Sequence, residues 1–298
     1  MLRIWLSSFT ALIVMVVYSP LVNGRERVYV QAVDERTGRV VTNLRRDEVL
    51  VRESGIWREV LAVRPANLPI KLTVLVDNGS AVTRSSDYLQ EGLRVFFSQL
   101  APNQEMSLVT LAPEPRWVVT ETLEREEIYR GIDLIERVKA PVRFLDGVIE
   151  ASNRIDTDRT LHRPVIVIVT GNGGDASRDP LNRWEPLLDQ VYRNGATIHT
   201  LLMSGRRQVF QRRSFREVAG LDFARLTGGY YRLIYVGSSL DAPLIDIAEE
   251  IRARSQELAS QHLVVYERSA DDLPGDARVT LTRMGVRVTR VTPDGKLR

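Results

Sequence analysis

The chain has 298 residues, 44% hydrophobic and 27% charged, the balance of an ordinary globular protein, which excludes a long disordered chain. Its 41 basic and 38 acidic side chains are too evenly matched to imply a nucleic-acid partner. It has no cysteine, which excludes disulfides and thiol chemistry. Its histidines, His162, His199 and His262, are far apart and show no zinc-ligand spacing, which with no cysteine argues against a zinc site.

In the N-terminal segment Arg3 is the only charge, and residues 4–18 are mostly apolar. Pro20 breaks the run, and Leu21-Val22-Asn23-Gly24 offers a cleavage point. This layout predicts a secretory signal peptide over residues 1–24. The apolar run is shorter than the ~20 residues of a spanning helix, which favours cleavage over an uncleaved membrane anchor. The expected location is periplasmic or extracellular, with no membrane span left after signal removal.

Residues 25–66 read as a small β module. Strands are predicted over 26–33, 49–53 and 57–63, with turns at 34–38 and at Ser54-Gly55. Pro65 and Pro69 mark a linker. Three such strands are too few to be stable alone.

Residues 67–256 alternate strand and helix patterns. Strands are predicted at 71–77, 106–112, 117–122, 164–170, 196–203 and 229–236, and helices at 88–100, 123–138, 145–155, 184–193, 215–226 and 240–256. Solidly apolar strands such as Val165-Ile166-Val167-Ile168-Val169 require cover on both faces. The predicted fold class is therefore α/β, a doubly wound, mostly parallel sheet. Residues 257–298 return to β, with strands at 262–266, 277–283 and 286–291 and a turn at 272–275. This tail is expected to pack back on the N-terminal module.

The strand Leu72-Thr73-Val74-Leu75-Val76 ends in Asp77-Asn78-Gly79-Ser80-Ala81 and delivers a carboxylate to the C-terminal sheet edge, where open α/β sheets bind ligands. It resembles the opening strand of a von Willebrand factor type A domain, where Asp-x-Ser-x-Ser begins a metal-dependent adhesion site. The order of elements resembles bacterial VWFA-related domain proteins, which are exported. Val49 to Gly55 is similar to that family's N-terminal strand. Leu226-Thr227-Gly228-Gly229-Tyr230-Tyr231 is similar to its turn into the last sheet strand. Leu263-Val264-Val265-Tyr266 and the strands of residues 277–291 are similar to its closing hairpin region.

The resemblance implies a divalent cation held by an Asp, two Ser hydroxyls, a Thr hydroxyl and a second Asp, a set suited to Mg²⁺. Here only Asp77 matches. Gly79 and Ala81 stand at the Ser positions, Val142 or Arg143 at the Thr, and Gly171 at the second Asp. Ser80 and Asp175 lie near but off the family's positions. The expectation is a degenerate site with no resident cofactor and at most weak divalent binding at Asp77. The plainer role for Asp77 is a carboxylate capping the following turn through backbone N–H groups.

Gly171-Asn172-Gly173-Gly174-Asp175-Ala176 nominally fits the dinucleotide pattern G-x-G-x-x-A, with Asp189 at a suitable distance. It follows the fourth strand rather than the first, and Pro180 delays the helix whose N-terminus would meet a phosphate. A rim loop is the plainer reading. Arg206, Arg207, Arg212, Arg213 and Arg216 crowd one stretch with Phe210 and Phe215. Such a run suits an acidic partner, but more often it is a solvated loop and first helical turn. Phe215 is expected in the core in phase with Val218 and Leu221. Trp57, Trp117 and Trp184 read most simply as packing residues; Trp184, beside Asn182 and Arg183 on the expected rim, is also the one aromatic to test as a partner anchor.

No G-x-S-x-G or H-E-x-x-H motif occurs. The functional expectation is a non-enzymatic protein–protein binding scaffold, its binding residues Asp77, Asn78, Gly79, Ser80, Val142, Arg143, Gly171 and Asp175 on the C-terminal rim of the sheet. The alternatives are a nucleotide-binding protein or enzyme using the Gly171 loop, and a membrane-anchored structural envelope protein.

Overall fold

Strand–helix alternation closes into one six-stranded sheet, covered on both faces, in the computed structural model. The structure describes residues 24–66, 68–82, 86–102, 104–158, 160, 162–204, 213–235, 240–268 and 276–291. The predicted signal peptide, the 272–275 turn, Arg206, Arg207, Phe210 and Arg212 lie outside the described residues, apart from Gly24.

The sheet strands are β5 (Ile70–Val76), β6 (Glu105–Thr110), β7 (Arg116–Thr122), β8 (Arg163–Gly171), β9 (Thr197–Ser204) and β10 (Tyr231–Tyr235). Their spatial order is β10-β9-β8-β5-β6-β7. All pairings are parallel except β6 with β7, an antiparallel edge. Every residue of β8 is buried, as a central strand covered on both faces must be.

Helices α1 (Ser86–Gln99), α2 (Arg125–Asp133) and α6 (Asp241–Ala259) cover one face. Phe96, Phe97, Leu93, Ile132 and Ile247 pack there on Val74, Val76 and Val167. Helices α3 (Phe144–Thr157), α4 (Pro180–Asn194) and α5 (Phe215–Thr227) cover the other, where Phe144, Val148, Leu187 and Phe223 meet Leu75, Ile166 and Ile168. Helix α2 is shorter than the predicted 123–138 segment, ending at Asp133.

The remaining strands are β1 (Gly24–Asp34), β2 (Val49–Glu53), β3 (Ile56–Arg58), β4 (Val60–Pro65), β11 (His262–Arg268), β12 (Ala277–Leu281) and β13 (Val286–Val291). They form a sheet of order β13-β1-β11-β4 and another of order β12-β2-β3. Both sheets join strands from the two ends of the chain, which alternate in the first, and Val28, Val30, Val51, Val264 and Tyr266 share one core. Residues 57–63, predicted as one strand, divide into β3 and β4 in different sheets. The alternating pattern runs through the break, so periodicity alone does not reveal it. Glu53, on β2, is fully buried, where its carboxylate meets Arg58, Arg268 and the Tyr266 hydroxyl.

Candidate functional site

The chain passes from β5 to β6 on one side of the sheet and from β8 to β9 on the other, so strand order reverses between β5 and β8. Asp77 follows β5, Gly171 ends β8, and both stand at this switch point, where α/β sheets bind ligands.

Asp77 is 0% exposed. Its Oδ1 accepts the Gly79 amide at 2.8 Å. Its Oδ2 accepts the Gly171 amide at 2.9 Å and the Thr170 hydroxyl at 3.1 Å. This includes the turn-capping role expected of it. A further donor to Oδ2 comes from a residue expected in solvent, Arg216, whose Nη1 lies 3.0 Å away.

Arg216 is 1% exposed, the largest fully buried side chain among the described residues. Its Nη1 also donates to Thr170 Oγ1 at 3.1 Å and to the Gly171 carbonyl at 2.9 Å, and Nη2 donates to the Gly174 carbonyl. Burial pulls its pKa below the ordinary arginine value, against the opposing influence of Asp77 and Asp175. Arginine keeps its proton in proteins, so the pair is ionic.

Local sequence explains how the guanidinium arrives there. Ser214 caps α5 by accepting the Glu217 amide at 3.2 Å, as expected for Ser-x-x-Glu. Arg216 sits in the first turn, in phase with buried Ala219, Gly220, Phe223 and Thr227. This corrects the predicted stripe of Phe215, Val218 and Leu221. Val218 is 42% exposed, and Phe215 packs sideways on Phe144 and Trp184. The buried stripe is displaced by one residue and begins with an arginine.

The other predicted site residues stitch rim loops together. Asn78 is buried: its side-chain amide donates to the Ala112 and Glu136 carbonyls, and its Oδ1 accepts the Ala112 amide. Ser80 is exposed, and its amide and hydroxyl both donate to the Ala140 carbonyl. Val142 is buried and bridges Asp175 in parallel. Arg143, partly exposed, donates its amide to Leu111. Asp175 caps α3 from outside: its carboxylate accepts the Phe144 amide at 2.8 Å, the Leu145 amide at 3.4 Å and the Ser177 hydroxyl at 2.8 Å.

Of the eight residues, Asp77, Asn78, Gly79, Val142 and Gly171 are buried, and Ser80, Arg143 and Asp175 reach solvent. Around them Ala81, Asn172, Gly174, Ala176 and Arg178 are exposed. Trp184 is partly buried against Phe215 and Phe223, with ring centroids 5.5 and 5.2 Å apart, so it packs the domain rather than presenting an anchor. His199 is a buried core residue whose Nδ1 accepts the Tyr230 amide.

Two glycines are held by close approach. A Cβ on Gly79 would lie 2.7 Å from the Ala140 carbonyl oxygen and from Val142 Cγ2. A Cβ on Gly171 would lie 2.8 Å from Ala81 Cβ and 2.9 Å from Val82 Cγ1. Side chains at the first of the family's two Ser positions and at its second Asp position meet neighbours under 3.0 Å here. A dication among the Asp77, Thr170 and Gly171 oxygens would also meet the guanidinium already bonded to them. The residues present do not fit a hard cation.

The Gly171 loop is likewise committed. The amides of Gly171, Asn172, Gly173, Ala176 and Ser177 donate to Asp77, Met203, Gly171, Val142 and Asp175. Helix α4 opens only at Pro180, after Asp179 in the left-handed region.

A carboxylate and a β8-terminal hydroxyl meet at the switch point of a mostly parallel sheet with one antiparallel edge strand. The six-stranded sheet and its helices have the α/β fold that the type A resemblance implies. No family model and no curated protein matches the sequence. Among solved structures, a von Willebrand factor type A protein from Catenulispora acidiphila is similar at 9% identity and TM-score 0.49, over 91% of this chain and 68% of that one. The SpRpn10 VWA domain is similar at 14% identity and TM-score 0.46, over 60% of this chain and 94% of that one. The vWF domain of the type V pili tip protein Mfa5 from Porphyromonas gingivalis is similar at 10% and TM-score 0.45, over 63% and 97%. These likenesses concern the path of the chain and bring no residue role to the type A-like domain.

Proposed function

We propose that this chain is an exported, non-enzymatic protein–protein binding scaffold whose type A-like domain contacts its partner through the C-terminal rim without a bound cation. The observation that carries this reading is the Arg216–Asp77 pair. It places a permanent positive charge among the Asp77, Thr170 and Gly171 oxygens, tied to α5. The rim loops are thereby tied together by protein groups, and the exposed side chains of Ser80 and Arg178 with the partly exposed Arg143 supply the contact surface. A pre-organised surface of this kind costs less to order on binding. The apolar N-terminal segment supports export.

The test is site-specific crosslinking in cells that make the protein. A photoreactive residue at position 80 or 143 is compared with one at exposed Tyr192, away from the rim. A partner captured from the rim positions only, and undiminished by chelator, is the expected result. Capture that depends on a divalent cation, or no enrichment at the rim over Tyr192, overturns the proposal.

A further inference from the structure

A second surface lies on the outer face of the β12-β2-β3 sheet, remote in sequence from the rim. Cross-strand register aligns Trp57, Arg52 and Arg278 in one row, because Arg52 on β2 pairs with Trp57 on β3 and with Arg278 on β12. Directly opposed residues point to the same face of a sheet. Leu50, two residues along β2 and 41% exposed, extends the row, and Trp57 is 61% exposed.

Two features make this row more than surface decoration. Arg52 and Arg278 are like charges directly opposite each other, an arrangement that destabilises a sheet. Neither takes part in an ion pair among the described residues, whereas nearby Arg58, Arg268 and Arg290 are paired with carboxylates. Arg52 is also pre-positioned: its Nε donates to the Gly55 carbonyl at 2.8 Å, and its guanidinium lies 5.6 Å from the centre of the Trp57 ring. That leaves its terminal nitrogens for a ligand.

We infer that this face is a docking surface for an acidic protein segment, whose carboxylates the Arg52 and Arg278 guanidiniums hold while an apolar side chain rests on Trp57 and Leu50. A carboxylate between the two guanidiniums relieves their repulsion and matches their forked donors. Tryptophan and arginine are the residues that most often dominate a protein interface, and here they are adjacent on a rigid sheet. The segment is acidic because the unpaired charge of the row is positive. It is a protein because an exposed apolar platform accompanies that charge.

The test uses the full chain and a short fluorescent peptide alternating Glu and Phe, read by anisotropy. The same peptide with Lys for Glu and a sulfated glycan are the comparison ligands. The acidic peptide binds, the Lys peptide does not, and added salt weakens the complex. Trp57→Ala and the double variant Arg52→Thr/Arg278→Thr each weaken binding by about tenfold or more. Both sites are exposed, so the melting temperature stays close to wild type and serves as the folding control. Unchanged affinity in both variants, or no binding of the acidic peptide, overturns the assignment. Preference for the glycan with the same dependence on Trp57 and the arginines also overturns it, in favour of an anionic polysaccharide.

Discussion

Arg216 Nη1 lies 3.0 Å from Asp77 Oδ2, and both side chains are closed off from water. A buried ion pair contributes little net stability against a well-packed apolar pair, but losing one member strands the other charge. Asp77→Ala and Arg216→Met should each lower unfolding free energy by about 3–5 kcal/mol, measured by urea denaturation. The double variant Asp77→Ala/Arg216→Met should lose less than the sum of the two single variants. Arg216→Lys should not rescue, since an ammonium lacks the planar fork that reaches both the Gly171 and Gly174 carbonyls. Additive losses would mean that the two residues are not coupled.

The glycines of the degenerate motif make a second prediction. Gly79→Ser and Gly171→Asp rebuild the family's ligands in sequence, yet each introduces a Cβ under 3.0 Å from its neighbours. Each should destabilise by about 1–3 kcal/mol, as overpacking does, and neither should create cation binding. Thermal melts with and without Mg²⁺ check both statements. A Mg²⁺-dependent rise in melting temperature in either variant would contradict them.

Asp175 makes a third. Its carboxylate caps α3 through the Phe144 and Leu145 amides, so Asp175→Ala should cost about 1–2 kcal/mol. Asp175→Asn should cost less, because an amide oxygen still accepts one of these bonds. Denaturant midpoints of the two variants rank them. Equal midpoints for Asp175→Ala and wild type would remove the capping role.

The buried histidines contribute to the pH dependence of stability. Burial, with Arg163 and Arg254, lowers the His199 pKa from 6.5 to about 3. His162 and His262 are also lowered, mainly by burial. A histidine whose folded pKa is depressed is neutral in the native state but protonates when unfolded. Its contribution is therefore fully present above its unfolded pKa and falls as pH drops below about 6.5, by up to about 1.4 kcal/mol per pH unit. Stability of His199→Gln, measured against pH, should decline less steeply through this range. A slope equal to wild type would show that His199 does not carry it.

Much of the fold was legible because its strands are apolar runs and helices α1 to α4 carry clear phase. The run Val165 to Val169 could only be a covered central strand, and Asp77 at the end of β5 marked the switch point. Two matters escaped for physical reasons. The change of sheet after Arg58 leaves the alternation of residues 57–63 intact, so the pattern reads as one strand. Arg216 lies beside other arginines in a stretch whose composition looks solvated. Its signal is positional: the Ser214–Glu217 cap fixes the helix start, and Arg216 then shares a face with Ala219, Phe223 and Thr227. Residue type argued for solvent, while helical phase placed the side chain inside.

The most direct test is a calorimetric titration of Mg²⁺, Mn²⁺ and Ca²⁺ into chelator-treated wild-type protein, with Asp77→Asn as control. With Arg216 serving as the internal cation, neither protein should give saturable heat with any of the three ions. Submillimolar binding in the wild type that is lost in Asp77→Asn would mean that a metal ion displaces the guanidinium, and the metal-independent account would be wrong.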